Sequence, residues 1–407
     1  MKRILALVLA ICFIFTACKN ADSNNIAYVT IGDDIKPGIE GFIDFTVNVK
    51  DNKQPIILQL TDTQIIDSAQ KRTSDSLDEA QAEYWKTENM EKCCFDYLRE
   101  IITETKPDLI IITGDIIQGE FDDNGTSLLR FVEFMEGFKI PWAPIFGNHD
   151  NESEKGVDWQ CKQFENAKYC LFKQRELTGN GNYSIGITQN NKLLRVFYML
   201  DSNGCTNASE ESLANGHTVK TTGIAPDQRD WYKASITELR KEYPNVKISF
   251  AYHIPNVIFS DAFAKYTDSI AVRARVYIDN VENRVKGDFG FIGADIKGEW
   301  DTENALWSDI KEYSVDSVFV GHEHANSASV VYQGVRFQYG QKSSTYHRLN
   351  WSMPNGKIIT SYPPSNENYT ALVGGTVIML DNSGAISKPY IYYCKNAGGQ
   401  FNISDFK

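Results

Sequence analysis

The segment LIIITGD at residues 109–115 joins a strand-like apolar run directly to a tight acidic turn. Its first five residues form a near-continuous apolar run, which is typical of a strand buried on both faces. Gly114 permits the tight turn that places Asp115 at the strand end. The run Ile56–Leu60 is likewise followed closely by Asp62. Both segments predict sheet strands that end in carboxylates.

Three further apolar runs end in polar residues of the same kind. Ala143–Phe146 is followed by Gly-Asn-His-Asp at 147–150, Val246–Tyr252 by His253, and Val315–Val320 by Gly-His-Glu-His at 321–324. Because ligands bind at the carboxyl ends of strands in open α/β sheets, these side chains can converge on one spot. Four of the six histidines belong to this set. Imidazoles and carboxylates suit Zn, Mn or Fe, so the sequence predicts a metal site.

Helical stretches separate most of these strands. Apolar residues at spacings of three and four predict helices around residues 90–102, 128–135 and 226–239. This alternation indicates an α/β domain. Additional strands are predicted at Tyr183–Ile187 and Leu194–Leu200, and antiparallel strands at Ser329–Tyr332, Val335–Tyr339, Thr376–Leu380 and Pro389–Cys394. Three segments are predicted to be irregular: 202–225, 261–298 and 341–370.

With these motifs, the chain resembles the calcineurin-like metallophosphoesterases, and within them the purple acid phosphatase branch. The resemblance is carried by Asp62, Gly-Asp at 114–115, Gly-Asn-His-Asp at 147–150, His253 and Gly-His-Glu-His at 321–324. It implies an α/β (α+β) fold of four layers, an αββα sandwich of two mixed β-sheets flanked by helices. It also implies two divalent or trivalent transition-metal ions, with Fe, Zn and Mn as the candidates.

The resemblance assigns a role to each motif residue. The first metal would be held by Asp62 and His324, the second by Asn148, His253 and His322, and Asp115 would bridge the two. His149 would stand beside the metals and assist the leaving group, with Asp150 orienting its ring. His322 and His324 are two residues apart, so in an extended segment both rings face one side.

Two positions depart from the family pattern. Many members have His where this chain has Gln64, and purple acid phosphatases have a Tyr ligand where it has Gln118. We expect Gln64 to offer a neutral carbonyl oxygen to the first metal, since it lies two residues after Asp62. The alternatives are a weak or empty first metal site, or a Gln64 that merely caps the turn.

The resemblance implies hydrolysis of phosphate esters by a metal-bound hydroxide, and we expect a phosphomonoesterase with a small phosphorylated substrate. A phosphodiesterase acting on nucleotides or lipid headgroups would use the same metals. A third possibility is a non-catalytic binding lipoprotein whose first metal site is degenerate. The net charge of −12 argues against binding of long nucleic acids, whose affinity rests on Lys and Arg at phosphates.

The first residues predict export. Lys2 and Arg3 precede an apolar run at residues 4–15, which is too short to span a membrane. The run leads to Cys18 through Thr and Ala, which resembles a bacterial lipoprotein signal and implies a lipid anchor at the cell surface or in the periplasm. The alternative is plain secretion, with Cys18 incidental.

The predicted organisation follows from these features. It comprises a signal peptide (1–17), a lipidated tether (18–25), an N-terminal strand segment (26–52), the metallophosphoesterase domain (53–394) and a C-terminal tail (395–407). Of the eight cysteines, Cys12 would leave with the signal and Cys18 would carry lipid. The remaining cysteines are compatible with disulfides, which export allows, and equally with buried thiols.

Overall fold

The computed structural model describes residues 28–29, 38–39, 41–66, 87–121, 124–267, 276–278, 281–292, 300–344, 350–352, 358–360, 369–371 and 373–395. The predicted signal peptide and tether lie outside these residues, so the lipid on Cys18 stays a prediction. The predicted domain boundaries also stay predictions. Within the described part of the chain, no helix is long and apolar enough to cross a membrane.

The strands are numbered in chain order. They are β1 (Tyr28–Val29), β2 (Gly38–Ile39), β3 (Phe45–Asn48), β4 (Ile56–Leu60), β5 (Leu109–Thr113), β6 (Trp142–Ile145), β7 (Tyr183–Gln189), β8 (Lys192–Met199), β9 (Lys247–Ala251), β10 (Val276–Tyr277), β11 (Phe291–Ile292), β12 (Ser317–Val320), β13 (Ser329–Tyr332), β14 (Val335–Tyr339), β15 (Asn350–Ser352), β16 (Ile358–Thr360), β17 (Tyr369–Ala371), β18 (Gly374–Leu380) and β19 (Ile386–Tyr393).

The helices of the described residues are α1 (Thr87–Thr105), α2 (Thr126–Gly137), α3 (Gly156–Asn166), α4 (Glu210–Ala214), α5 (Pro226–Glu242), α6 (Ile258–Thr267), α7 (Val281–Lys286) and α8 (Ala305–Glu312). Two short 3₁₀ turns lie at Gly119–Phe121 and Asp150–Glu152. The predicted helices correspond to α1, α2 and α5. The sequence prediction missed α3, although its buried residues Val157, Gln160, Cys161 and Phe164 follow helical spacing.

Two mixed sheets form the centre of the fold. The five-stranded sheet has the order β19-β18-β4-β5-β6, with β4, β5 and β6 parallel and β18 antiparallel to both of its neighbours. The seven-stranded sheet has the order β13-β14-β12-β9-β8-β7-β3. In it, β8, β9, β12 and β14 run parallel, whereas β7 and β13 pair antiparallel with β8 and β14. The antiparallel C-terminal strands are therefore confirmed.

Helices cover both sheets. Ile101 of α1 packs near Gly375 of β18. On the seven-stranded sheet, Tyr232 of α5 packs against Phe250 of β9, with ring centroids 4.8 Å apart and the rings tilted by 53°. Tyr183 of β7 donates a hydrogen bond to the carbonyl of Pro144 in β6 at 2.5 Å, which joins the two sheets directly. The predicted four-layer αββα arrangement is confirmed.

The segments predicted to be irregular contain regular structure in their described parts. Helix α4 lies within 202–225, the end of α6 and all of α7 lie within 261–298, and β15, β16 and most of β17 lie within 341–370. Strand β3 pairs parallel with β7 and forms an edge of the seven-stranded sheet. All six cysteines of the described residues are unbridged thiols. The structure therefore favours thiols over disulfides.

Candidate metal centre

Five strand ends meet at one edge of the fold. Strands β4, β5 and β6 of one sheet and β9 and β12 of the other lead into the polar turns predicted from the sequence. Gln59 of β4 ties the two sheets together just below these turns. Its side-chain nitrogen donates to Oγ1 of Thr113 and to the carbonyl of Val320, both at 3.0 Å. Because Gln59 is fully buried, this link fixes the strand ends relative to each other.

Asp115 lies where two groups of potential metal ligands join. The ligand atoms of Asp115, His253 and His322 lie within 4.8 Å of one another. Asp62, Asp115 and His324 form a second group by the same criterion. We call the first group the histidine-pair position and the second group the Asp62 position. The structure thus brings together carboxylates and imidazoles from four strand ends, and places Asp115 in both groups.

His253 fits the role of a metal ligand. Its ring is fully buried, and its Nδ1 lies 2.7 Å from the carbonyl of Thr113, which fixes Nδ1 as the protonated nitrogen. Its Nε2 lies 3.2 Å from Oδ2 of Asp115 but has no hydrogen-bond partner among the described residues. A buried nitrogen of this kind is costly unless it binds something. The residues of the histidine-pair position therefore fit a metal ion.

Asn148 lies beside this position. Its Oδ1 is 3.0 Å from Nδ1 of His322. The rings of His322 and His253 are nearly perpendicular, with centroids 5.2 Å apart. Asn148 therefore holds the ring of His322 next to that of His253.

The Asp62 position is held by hydrogen bonds within the turns. Oδ2 of Asp62 accepts a hydrogen bond from Oγ1 of Thr61 at 2.7 Å. The backbone amide of His322 lies 3.2 Å from both carboxylate oxygens of Asp62. Nε2 of His324 is 3.3 Å from Oδ1 of Asp62. Asp62 thus presents its carboxylate toward both histidines of the last strand end.

The backbone at the site adopts uncommon conformations. Asp62, Asp115 and His322 have φ values of 51°, 52° and 70°, in the left-handed region that non-glycine residues rarely adopt. Each such residue costs on the order of 1–3 kcal/mol, and such strain clusters at functional sites. At Gly147, a Cβ atom would collide with the carboxylate of Asp115, so only glycine fits there.

His149 is oriented by Glu152. Nδ1 of His149 lies 2.8 Å from Oε2 of Glu152 and 3.0 Å from Nε2 of Gln118. The backbone amide of His149 donates to Oδ1 of Asp115 at 2.9 Å, which anchors the residue to the metal centre. The side chain of His149 is 23% exposed, so a ligand can reach it.

Asp150 does not orient His149, which corrects the sequence-based expectation. Its Oδ1 accepts hydrogen bonds from the amides of Ile116 and Ile117 at 2.9 and 3.0 Å, and its Oδ2 accepts one from Gly147 at 2.7 Å. Asp150 is fully buried below the turn. Because its carboxylate is occupied by backbone amides, its role is to hold two strand ends in place.

Gln64 also differs from the expectation. Its Oε1, which was expected to face the first metal, accepts a hydrogen bond from Nζ of Lys342 at 2.6 Å. Its Nε2 donates to Oε1 of Gln118 at 3.1 Å. The oxygen therefore meets a cation supplied by the chain itself. The structure gives no support to Gln64 as the replacement for the missing imidazole.

A match to a family model identifies the chain at the family level. Residues 56–326, more than half of the chain, match the calcineurin-like phosphoesterase model. The chain belongs to the calcineurin-like phosphoesterase family. The matched residues contain every motif at the five strand ends. The phosphoesterase fold therefore accounts for the convergence of these side chains on one edge of the two sheets.

Curated relatives of this chain include a phosphatase and proteins named as probably inactive. The chain is 27% identical to the phosphatase DCR2 of Saccharomyces cerevisiae over 248 residues, 56% of this chain and 38% of that protein. It is 27% identical to the probable inactive purple acid phosphatase 29 of Arabidopsis thaliana over 266 residues, 60% of this chain and 61% of that protein. The chain thus spans less than two thirds of the length of these relatives.

Solved structures with a similar arrangement include a dimetal phosphatase from Danio rerio. It is 11% identical, with a TM-score of 0.44, and the match covers 83% of this protein and 98% of that chain. A purple acid phosphatase from yellow lupin (Lupinus luteus) is also 11% identical, with a TM-score of 0.36, and the match covers 84% of this protein and 54% of that chain.

Burial and charge have opposite effects on the pKa values of the carboxylates at the candidate metal centre. Burial raises the pKa of Asp115, but the nearby rings of His253 and His149 outweigh it and hold that pKa well below its usual value. Burial likewise opposes ionisation of Asp62, yet His324 lowers the pKa of that carboxyl to about 2. Both carboxylates are therefore ionised at neutral pH, as metal ligands must be.

Burial and neighbouring charges also shift the pKa values of two histidines and a lysine at the site. Burial and the charge of Lys342 lower the pKa of His324 to about 4. Burial disfavours a charged His149, but Asp115 and Glu152 outweigh it and raise the pKa of His149 to about 9. Burial lowers the pKa of Lys342 to about 8. The raised pKa favours the protonated form of His149, which is the form that a general acid needs.

Two residues of the candidate metal centre, Lys342 and Glu152, were not predicted from the sequence. Lys342 lies three residues after β14, so it follows a strand end as the other site residues do, but it falls in a segment predicted to be irregular. Glu152 lies three residues after His149 in a 3₁₀ turn. Because residues three apart align in such a turn, this spacing was the available signal for Glu152.

Proposed function

We propose that this chain hydrolyses phosphate monoesters with the help of transition-metal ions at two adjoining positions that share Asp115. The observation that carries the proposal is the membership of Asp115 in both ligand groups, each with ligand atoms within 4.8 Å. One carboxylate between two cation positions suits an in-line displacement, for which a pair of ions is ~3.5–4 Å apart. Fe, Zn and Mn are the candidate metals, since all accept imidazole and carboxylate ligands.

The proposal gives each group a separate task. His253 and His322, supported by Asn148, would hold one ion with Asp115, whereas Asp62 and His324 would hold the other. When bound, such ions neutralise phosphate charge and lower the pKa of water toward 7. The protein contributes a rigid set of ligands, because Gln59 fixes the strand ends and Thr113 fixes the ring of His253.

His149 is the proposed general acid. It lies at the rim of the proposed metal centre and is partly exposed, and its raised pKa favours the protonated form. It would donate its proton to the leaving oxygen of the ester, which assists departure of an alcohol. Glu152 would position the ring and favour its protonated form through contact at Nδ1.

The substrate and cellular location are further parts of the proposal. The side chain of His149 is 23% exposed, and the proposed ions beside it would attract an anion, so the site suits a small phosphorylated molecule. The chain would act outside the cytoplasmic membrane, anchored by lipid on Cys18 at the cell surface or in the periplasm. The support for this location is the basic, apolar and Cys-terminated pattern at the start of the sequence.

Metal content and turnover, measured together on purified protein, test the proposed function. We expect metal-dependent turnover of 4-nitrophenyl phosphate that exceeds turnover of bis(4-nitrophenyl) phosphate, is lost with a chelator and returns with added metal. Faster hydrolysis of the diester would instead indicate a phosphodiesterase. Bound metal without turnover of either ester would indicate a binding protein, and absence of bound metal would contradict the proposed centre.

A further inference from the structure

Lys342 is a buried cation at the metal centre. Its side chain is 1% exposed, and it follows β14 at the same edge of the sheets as the metal-ligand candidates. Its Nζ donates to Oε1 of Gln64 at 2.6 Å and to the backbone carbonyl of Asp62 at 2.9 Å. Both acceptors are neutral oxygens. Burying an ammonium group is costly without a nearby negative charge.

The negative charge that faces Lys342 comes from the metal centre itself. The carboxylates of Asp62 and Asp115 favour the charged form of Lys342 electrostatically. These are the same carboxylates that form the Asp62 position. The ammonium group and an ion at that position would therefore draw on the same negative charge, and they would repel each other across a buried, poorly screened region.

An amide chain holds the ammonium group in place. Nζ of Lys342 can only donate, so Gln64 must turn its oxygen toward Lys342 and its nitrogen away. That nitrogen donates to Oε1 of Gln118 at 3.1 Å. Turning the oxygen of Gln64 toward an ion at the Asp62 position would break this chain.

The histidine-pair position has a different environment. It combines the carboxylate of Asp115 with two imidazoles, and Nε2 of His253 is buried without a hydrogen-bond partner among the described residues. A cation there satisfies a nitrogen that otherwise lacks a partner. At the Asp62 position, by contrast, an ion must compete with a cation that the chain already provides.

We infer that Lys342 is a built-in competitor for metal at the Asp62 position, so that the chain binds one ion tightly at the histidine-pair position and a second one much more weakly. This inference rests on the proposed metal centre and adds that its two positions differ in their affinity for metal. When the second ion is absent, the ammonium group of Lys342 neutralises part of the negative charge of Asp62 and Asp115. The chain would then exist mainly with one ion at low metal concentration.

Equilibrium dialysis of the full-length protein against Mn²⁺, with bound metal measured by elemental analysis, tests the inference. The wild type should bind one Mn²⁺ tightly and a second at least about tenfold more weakly. Lys342→Met removes the charge and keeps the length of the side chain. It should tighten the second binding step at least about tenfold and change the first step much less, because Nζ of Lys342 contacts the carbonyl of Asp62 and Oε1 of Gln64.

Lys53→Met is the matched control. Lys53 pairs with Asp108 at the opposite ends of β4 and β5, so its removal deletes the same charge far from the metal centre and should leave both binding steps unchanged. Circular dichroism reports whether each variant is folded. If Lys342→Met is unfolded, Gln64→Glu replaces it, since a carboxylate beside Lys342 offsets the ammonium charge and should also tighten the second step.

The outcomes separate this inference from the proposed function. Two Mn²⁺ ions bound with equal affinity by the wild type would overturn the inference and leave the metal centre intact. A second step that is unchanged or weakened in the folded Lys342→Met protein, or in Gln64→Glu where that variant is used, would also overturn it. A wild type that binds no Mn²⁺, Zn²⁺ or Fe²⁺ would overturn both the inference and the proposed metal centre.

Discussion

Nδ1 of His149 lies 2.8 Å from Oε2 of Glu152. The contact forms within a single 3₁₀ turn, and both side chains are largely buried. It places a carboxylate on one ring nitrogen and leaves the other nitrogen available for a ligand. If His149 is a general acid, Glu152 is the residue that positions it and sustains its proton.

Replacing His149 by Ala should preserve metal binding and slow hydrolysis. The side chain of His149 belongs to neither ligand group, so metal content should match that of the wild type. Loss of a general acid typically costs ~10²–10⁴-fold in rate, and the loss should be largest for esters with poor leaving groups. Rates on an alkyl phosphate and on 4-nitrophenyl phosphate provide the comparison. Unaltered rates on the alkyl phosphate would exclude His149 from the mechanism.

Glu152→Gln should shift the pH dependence of turnover. Burial lowers the pKa of His149, but Asp115 and Glu152 together raise it to about 9. A general acid works below its pKa, so activity falls as the pH rises through that value. Without the charge of Glu152 the pKa of His149 drops, and the alkaline decline of kcat should begin at lower pH. Glu154→Gln, at an exposed neighbouring position, should leave the pH at which kcat declines unchanged. An unshifted profile in Glu152→Gln would contradict the assigned role.

Asp150→Asn should lower the stability of the folded protein. The amide can accept hydrogen bonds through only one of its two terminal atoms, so at least one of the amides of Ile116, Ile117 and Gly147 loses its acceptor. We expect the free energy of unfolding to fall by about 1–3 kcal/mol. Urea denaturation measures the free energy of unfolding, and Asp158→Asn, on an exposed helix surface, is the control. Equal stability of Asp150→Asn and wild type would refute the structural role.

The anchoring prediction concerns Cys18. If this residue carries lipid, Cys18→Ser should move the protein from the membrane fraction to the soluble fraction when cells are fractionated. The physical reason is that acyl chains provide the hydrophobic attachment, and a serine hydroxyl cannot receive them as the thiol does. A Cys18→Ser protein that remains in the membrane fraction as completely as wild type would disprove the lipoprotein assignment.

The sequence predicted the strand ends well because they depend on local patterns. The boundaries of β4 and β5 are as predicted, since continuous apolar runs followed by glycine or a polar residue leave little ambiguity. The convergence of Asp62, Asp115 and His253 followed from a general rule about parallel strands. These parts of the site require no knowledge of side-chain packing.

The remaining parts depend on contacts that the sequence does not encode locally. Gln64 was assigned to a metal because it follows Asp62, but its oxygen faces Lys342, which is 278 residues away in sequence. The family resemblance assigned Asp150 to orient His149, yet a turn brings Glu152 to the ring instead. Side-chain direction within a turn, and the identity of a distant partner, are settled only by the folded chain.

The most direct test of the metal centre is the metal content and turnover of Asp115→Asn. Asp115 is the residue shared by both ligand groups, so loss of its charge should remove bound metal from both positions and abolish nearly all hydrolysis of 4-nitrophenyl phosphate. Asp108→Asn, at the other end of β5, serves as the control and should retain both properties. A folded Asp115→Asn protein that keeps the wild-type metal content and turnover would contradict the account.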